Sequence, residues 1–140
     1  MKPIAPIGRI LFSLLFIHAA LGHFQPGTVA YAASAGVPLA NLLVPASGLL
    51  ALVAGISIAT GYRARWGAAG IVAFLVPVTL SMHKFWAIPD PMMAQMQQIM
   101  FMKNVSLIGA ALFIVYAGAG AFSLDARAGR VSLEPATNKA

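Results

Sequence analysis

Gly61-Tyr62-Arg63-Ala64-Arg65-Trp66 interrupts two long apolar runs, Leu39 to Thr60 before it and Trp66 to Trp86 after it. Each run reaches the roughly 20 residues that a helix needs to cross a hydrocarbon core. A turn this short reverses the chain at one membrane surface. The paired arginines mark that surface as the cytoplasmic one, where Lys and Arg are retained, and Tyr62 and Trp66 suit its headgroup layer. Outward from this turn, the next boundary on either side holds no such cluster, and the one beyond it does. Lys2 and Arg9 stand at the start of a first run, about Gly8 to Phe24, and Arg127, Arg130 and Lys139 follow a last run, about Gln97 to Phe122. The alternation predicts an all-α, left-handed four-transmembrane-helix bundle with N and C termini cytoplasmic, a multi-pass protein of the inner (plasma) membrane.

Composition agrees. Hydrophobic residues make up 60% and charged residues 9% of the chain, against about 25% charged in a soluble domain, and mean hydropathy is +0.85. A formal charge of +6 in a soluble protein would suggest nucleic acid, but seven of the nine Lys and Arg fall on the expected cytoplasmic side. Topology and anionic headgroups account for them, so the expected partner is the lipid bilayer and no nucleic acid. Cysteine is absent, which removes disulfides, thiolate relays and thiolate-bound metal centres. Residues 1–125 read as one membrane domain and 126–140 as a basic cytoplasmic tail, polar enough to be left unstructured.

A cleaved secretory leader competes for the first run, since Lys2, an apolar stretch and Val29-Ala30-Tyr31-Ala32 imitate its parts. His18 and His23 interrupt that stretch and Gln25-Pro26-Gly27 separates it from the cleavage-like site, so it reads as a span, with Arg9 snorkelling to the inner surface. Thr28 to Ala35 reads as a short interfacial helix with Thr28 as N-cap and Gly36 as its left-handed stop. Ala51, Gly55 and Ala59 form a small-residue stripe on the second span and Ala117 and Ala121 another on the fourth. Such stripes admit close helix approach and make a homo-oligomer plausible. Pro77 predicts a kink in the third span, and Pro89-Asp90-Pro91 a stiff outer turn.

Polar side chains gather in one half of this bundle. His18 falls past the middle of the first span, and His23, Asn41, His83, Lys84, Gln97, Gln98, Lys103 and Asn104 fall near the outer boundary. Ionisable groups inside spans are costly, about 2.5–3.5 kcal/mol near a helix centre, and usually face a cavity, a partner or the bundle interior. Lys103 beside Asn104 is therefore a site candidate, with snorkelling as the competing account. His18 and His23 lie about 140° apart on a helix and cannot chelate one metal from one face. A pair across helices, such as His18 with His83, would suit a haem or a quinone carbonyl, whereas an isolated neutral histidine at the interface needs neither. His83-Lys84-Phe85-Trp86 joins a titratable ring, a cation and two aromatic faces, although aromatic residues gather at this boundary in any case. Met92, Met96 and Met100 recur every four residues; soft thioethers of this kind suit Cu(I), but methionine is also a flexible filler, and no metal site is assigned. Asp90, Asp125 and Glu134 are the acidic residues and none falls within an expected span, which disfavours a carboxylate proton relay.

Taken together, Gly22-His23-Phe24, Gly36-Val37-Pro38, Gly61-Tyr62-Arg63-Ala64-Arg65, His83-Lys84-Phe85-Trp86, Phe101-Met102-Lys103-Asn104 and Ser123-Leu124-Asp125, in this order from about Gly8 to Asp125, resemble the DoxX family of small four-helix bacterial membrane proteins. The resemblance implies a plasma-membrane protein whose relatives serve as a subunit of a thiosulfate:quinone oxidoreductase or as a membrane partner in oxidative-stress complexes. Many relatives carry a glutamate in the outer half of the second span, where this chain has Pro45-Ala46-Ser47-Gly48, and His-Asn or His-Ser where this chain has His83-Lys84.

The expected function is a membrane subunit of a quinone-linked oxidoreductase system, catalytic or not, working with a redox partner subunit. His23 and His83 would donate hydrogen bonds to the quinone or substrate, Lys84 and Lys103 would offer positive potential to an anion, Asn104 would orient the ligand, His18 would join the binding set, and Phe85 and Trp86 would form the apolar walls. The alternative is a small-molecule or lipid transport or scaffold module in which no electrons move.

Overall fold

The computed structural model describes residues 4–133, and the side chains of residues 4–129. Six α-helices follow in order: α1 (Ile4–Gly22), α2 (Pro26–Ser34), α3 (Ala40–Thr60), α4 (Ala64–Met82), α5 (Pro91–Ala117) and α6 (Leu124–Leu133), with a short 3-10 turn at Phe85–Ala87. No strand occurs among the described residues. Four of the helices, α1, α3, α4 and α5, are long and apolar enough to cross a membrane. The fold is an all-α four-span bundle.

Packing runs α1 on α3, α3 on α4 and α4 on α5, with α2 laid against α3. The core is built from Phe16, Ala51, Ala54, Ile58, Ala68, Ile71 and Phe74, while Leu11, Leu14, Leu49, Val53, Leu80 and Phe113 turn outward. That inversion suits a bilayer, where hydrocarbon tails are as apolar as leucine and small residues at contacts replace the hydrophobic effect as the means of close packing. At Gly55 an added Cβ would stand 2.9 Å from Ile17 Cγ1 on α1. At Gly67 it would stand 2.6 Å from Ser57 Oγ and 2.9 Å from the Ala54 carbonyl on α3. Ala51 and Gly55 of the second-span stripe are thus used inside the chain. Ala117 and Ala121 are both exposed, and α5 has ended by Ala121.

Several boundaries differ from the sequence reading. Helix α2 starts at Pro26 with Gln25, not Thr28, as its N-cap, because proline needs no N–H partner in a first turn. Gly36 does adopt the left-handed conformation, φ +85. Helix α5 begins at Pro91, where Asp90 Oδ1 accepts the Met93 N–H at 2.7 Å, and stops at Ala117 before Gly118, φ 77. Its 27 residues span about 40 Å, and its opening turns are clasped by Phe85 and Trp86, whose rings lie 5.5 Å and 5.9 Å from Phe101. Leu124–Leu133 is helical, where the expectation was an unstructured tail from 126. Ser123 Oγ accepts the Ala126 N–H at 3.0 Å and so caps that helix. Residues 134–140, the rest of that expected tail, lie outside the described residues.

Candidate functional site

Among the described residues, five polar or charged side chains are buried: Arg9, Ser13, Thr79, Asn104 and Ser123. They divide between the two ends of the bundle, and the division separates a structural lock from a candidate site.

At the end where α1 begins and α3 turns into α4, the polar groups bond to one another's elements. The Arg9 guanidinium is buried rather than snorkelling. It donates through Nη1 to the Ala119 carbonyl and through Nη2 to that of Phe122 at 3.0 Å. Ser13 Oγ donates to the Arg9 carbonyl at 2.7 Å. Asp125 accepts the N–H groups of Arg63 at 2.8 Å and Ala64 at 3.2 Å, and its own N–H donates to Gly61 O at 2.9 Å. This fills the donors left open at the start of α4 and holds Arg63 in a left-handed conformation, φ 50. Gly61 is required here, since a Cβ would stand 2.4 Å from Ser123 Cβ. Basic turn and C-terminal segment are one unit, a link the sequence reading missed although it singled out both Gly61–Arg65 and Ser123–Asp125.

The opposite end is different. A groove of about 170 Å³ runs between α1 and α5 over the face of α4, lined by His23, His83, Lys103 and Asn104 among apolar neighbours such as Phe16 and Leu107. Asn104 is 5% exposed, yet among the described residues its amide has no hydrogen-bond partner. Among the described residues the fully buried side-chain atoms without a partner are Thr79 Oγ1 on α4 and, at the other end, Arg9 Nε. Buried polar groups are normally paired. An orphaned amide opening on a groove in the membrane-spanning part of α5 therefore points to a ligand.

The two histidines in the groove have assigned protons. His23 Nδ1 lies 2.9 Å from the Ala19 carbonyl and His83 Nδ1 lies 2.7 Å from Gln97 Oε1. Both oxygens are acceptors, so Nδ1 donates on each ring, and Nε2 makes no hydrogen bond to the described residues. Lys103 Nζ is 3.5 Å from Met100 Sδ, a weak contact that leaves its donors available. The groove offers donors from Lys103 and Asn104 and acceptors from His23, His83 and Asn104.

The remaining sequence candidates stand elsewhere. His18 is exposed on α1 and outside the groove, apart from His83. Lys84 is exposed and caps the 3-10 turn. Phe85 and Trp86 stack on each other at 5.1 Å and on Phe101 rather than walling the groove. Sequence reasoning missed Phe74, whose ring is 5.5 Å from that of His23. It placed Gln97 at the right boundary without pairing it to His83. Nothing in an apolar run distinguishes Phe74, whereas a glutamine near a span end and a histidine across a short turn offered a signal.

A second cavity, about 420 Å³ and almost wholly apolar, lies between α3 and α4 beneath α2, with His23, Phe74 and Val78 also lining the groove.

Four apolar spans with a polar lock at one end and a polar groove at the other define a small multi-pass membrane protein with a candidate site inside its spans. The DoxX family model matches residues 4–84, and the chain belongs to the DoxX family. It is similar to the inner membrane protein YphA of Escherichia coli K12, with 32% identity over 124 residues, 89% of this chain and 87% of that one. It is also similar to the inner membrane protein YqjF of the same organism, with 30% identity over 131 residues, 89% of this chain and 95% of that one. No solved structure matches. The chain is a multi-pass protein of the inner membrane.

Proposed function

We propose that the protein is a membrane subunit of a quinone-linked redox system and that the α1–α5 groove binds the quinone's head group. The unpaired amide of Asn104, opening on the groove, carries this reading. A quinone enters from hydrocarbon, presents a flat apolar ring with polar atoms on opposite edges, and suits a mostly apolar pocket with a few convergent polar groups. The sequence reading has His23 and His83 donating hydrogen bonds. With both Nδ1 hydrogens already committed, neutral Nε2 accepts instead, which favours the reduced quinol. Its two hydroxyl protons go to the two imidazoles, its two electrons go to a redox centre on a partner subunit, and quinone is left. Asn104 and Lys103 donate to the oxygens. The chain supplies binding, orientation and proton acceptance, and the partner supplies the electron acceptor, since the chain has no thiol of its own.

A second reading, a transport or lipid-handling module, draws support from the apolar cavity beside the groove. The two part on one measurement: gentle purification from native membrane, then an absorption spectrum and mass spectrometry of extracted cofactors. A stoichiometric quinone that is lost on Asn104→Leu is the expected result. A colourless protein holding only phospholipid overturns the redox reading in favour of the second.

A further inference from the structure

The cavity between α3 and α4 is not needed to hold a head group, and at about 420 Å³ it falls within the range of small-molecule pockets, roughly 300–1,000 Å³. Its walls include Val37, Val44, Leu50, Pro77 and Met82. Two of its few polar side chains are spent on their own helices: Ser47 Oγ donates to the Val44 carbonyl at 2.7 Å and Ser81 Oγ to that of Pro77 at 2.6 Å. Apart from Thr28 and His23, the other side chains lining it are apolar. Left empty, a space of this kind forfeits dispersion contacts along its lining, so an apolar occupant is favoured.

Continuity with the groove identifies that occupant. His23, Phe74 and Val78 line both spaces, and the His23 and Phe74 rings, 5.5 Å apart and steeply inclined, form the partition between them. His23 lies just past Gly22, the last residue of α1. Only side chains separate the spaces at this point. We propose that the cavity receives the tail of the molecule whose head lies in the groove, a single isoprenoid chain passing over the His23–Phe74 saddle. This rests on the quinol reading of the groove. Because His23 and Phe74 line both spaces, a single chain anchored by a head group in the groove passes directly into the chamber.

The test compares two benzoquinols, one without a tail and one with a decyl chain, binding to the purified full-length protein in detergent and corrected for partition into micelles. The decyl compound binds wild type about tenfold tighter or more, as burial of several methylenes requires. Ser47→Leu and Ala73→Phe, which fill the cavity from α3 and from α4, each reduce that advantage to about twofold or less and leave the tail-less compound unchanged. Asn104→Leu weakens both compounds alike. A decyl compound that binds wild type no tighter than the tail-less one, or keeps its advantage in both filled variants, overturns the tail chamber while the groove reading stands. If neither compound binds wild type, the groove reading fails and takes this inference with it. A decyl quinol carrying a terminal diazirine gives a readout that needs no variant. Crosslinks to the buried lining residues Ala32 or Val44 support the chamber, and crosslinks confined to outward-facing Leu11 and Leu14 reject it.

Discussion

The Asn104 amide makes no hydrogen bond to the described residues and opens on the groove, so replacing it with an apolar side chain of similar size breaks no contact inside the protein. Asn104→Leu should therefore raise the thermal unfolding midpoint of ligand-free protein, or leave it unchanged, while abolishing quinone retention. A midpoint lowered by the substitution would mean that the amide is structural. Arg9 predicts the opposite. Its guanidinium holds two backbone carbonyls from a distant segment, and charge-assisted hydrogen bonds contribute about 1.5–3 kcal/mol each. Arg9→Met should lower stability by about 3–5 kcal/mol in detergent unfolding without changing quinone affinity in whatever fraction stays folded. Both residues are ones that the sequence marks as polar within or beside apolar runs. What the sequence does not mark is their partners, because Arg9 finds Ala119 and Phe122 through backbone carbonyls that any residue supplies.

Among the elements, close approach is the most sensitive contact. Gly67 admits the Ala54 carbonyl of α3, which as helix backbone cannot swing aside. Gly67→Ala should therefore destabilise the bundle by about 1–3 kcal/mol, whereas Gly109→Ala, at a position open to its surroundings, should be neutral or slightly stabilising. The unfolding midpoints of the two variants measure the contrast directly. The four spans are legible from hydropathy alone, and their ends are not, for identifiable reasons. Gln95, Gln97 and Gln98 pull hydropathy down at the start of α5. Asp90-Pro91, which is an N-cap followed by a proline at the first helical position, reads equally well as a turn when only composition is weighed. Helix α6 is hidden because it is short and carries few large apolar residues, and its start depends on Ser123 Oγ and on Asp125 meeting the α3–α4 turn. The candidate site was half visible. His23, His83, Lys103 and Asn104 come together, while His18, Lys84, Phe85 and Trp86 face elsewhere. Sequence places a residue at a depth in the membrane and does not fix which side of the helix it occupies when apolar residues cover the whole circumference.

For the molecule as a whole, the distribution of Lys and Arg predicts an orientation with the Arg63 end in the cytoplasm. The absence of native cysteine makes the test clean, since one introduced thiol is the only one present. Pro89→Cys, exposed beyond α4, should react with a membrane-impermeant maleimide in cells whose outer membrane has been made permeable. Arg127→Cys, exposed on α6, should react only after the inner membrane is breached. The reverse pattern would invert the topology and put the groove's polar end on the cytoplasmic side.

The Arg9 lock also bears on the order in which the chain is made. The carbonyls that satisfy Arg9 lie 110 and 113 residues further along, beyond the last span. A ribosome therefore delivers the first helix to the membrane long before it has synthesised the groups that neutralise its buried cation. Until Ala119 and Phe122 emerge, Arg9 must be hydrated at the surface or held by the insertion machinery, and the nascent bundle is incomplete at its first helix. Chains halted after Ala117 would contain every span and still be quality-control substrates. Pulse-chase of such truncations should show rapid proteolysis, and extending them through Asp125 should restore the lifetime of the full chain. The first helix to enter the bilayer would be the last to be fastened.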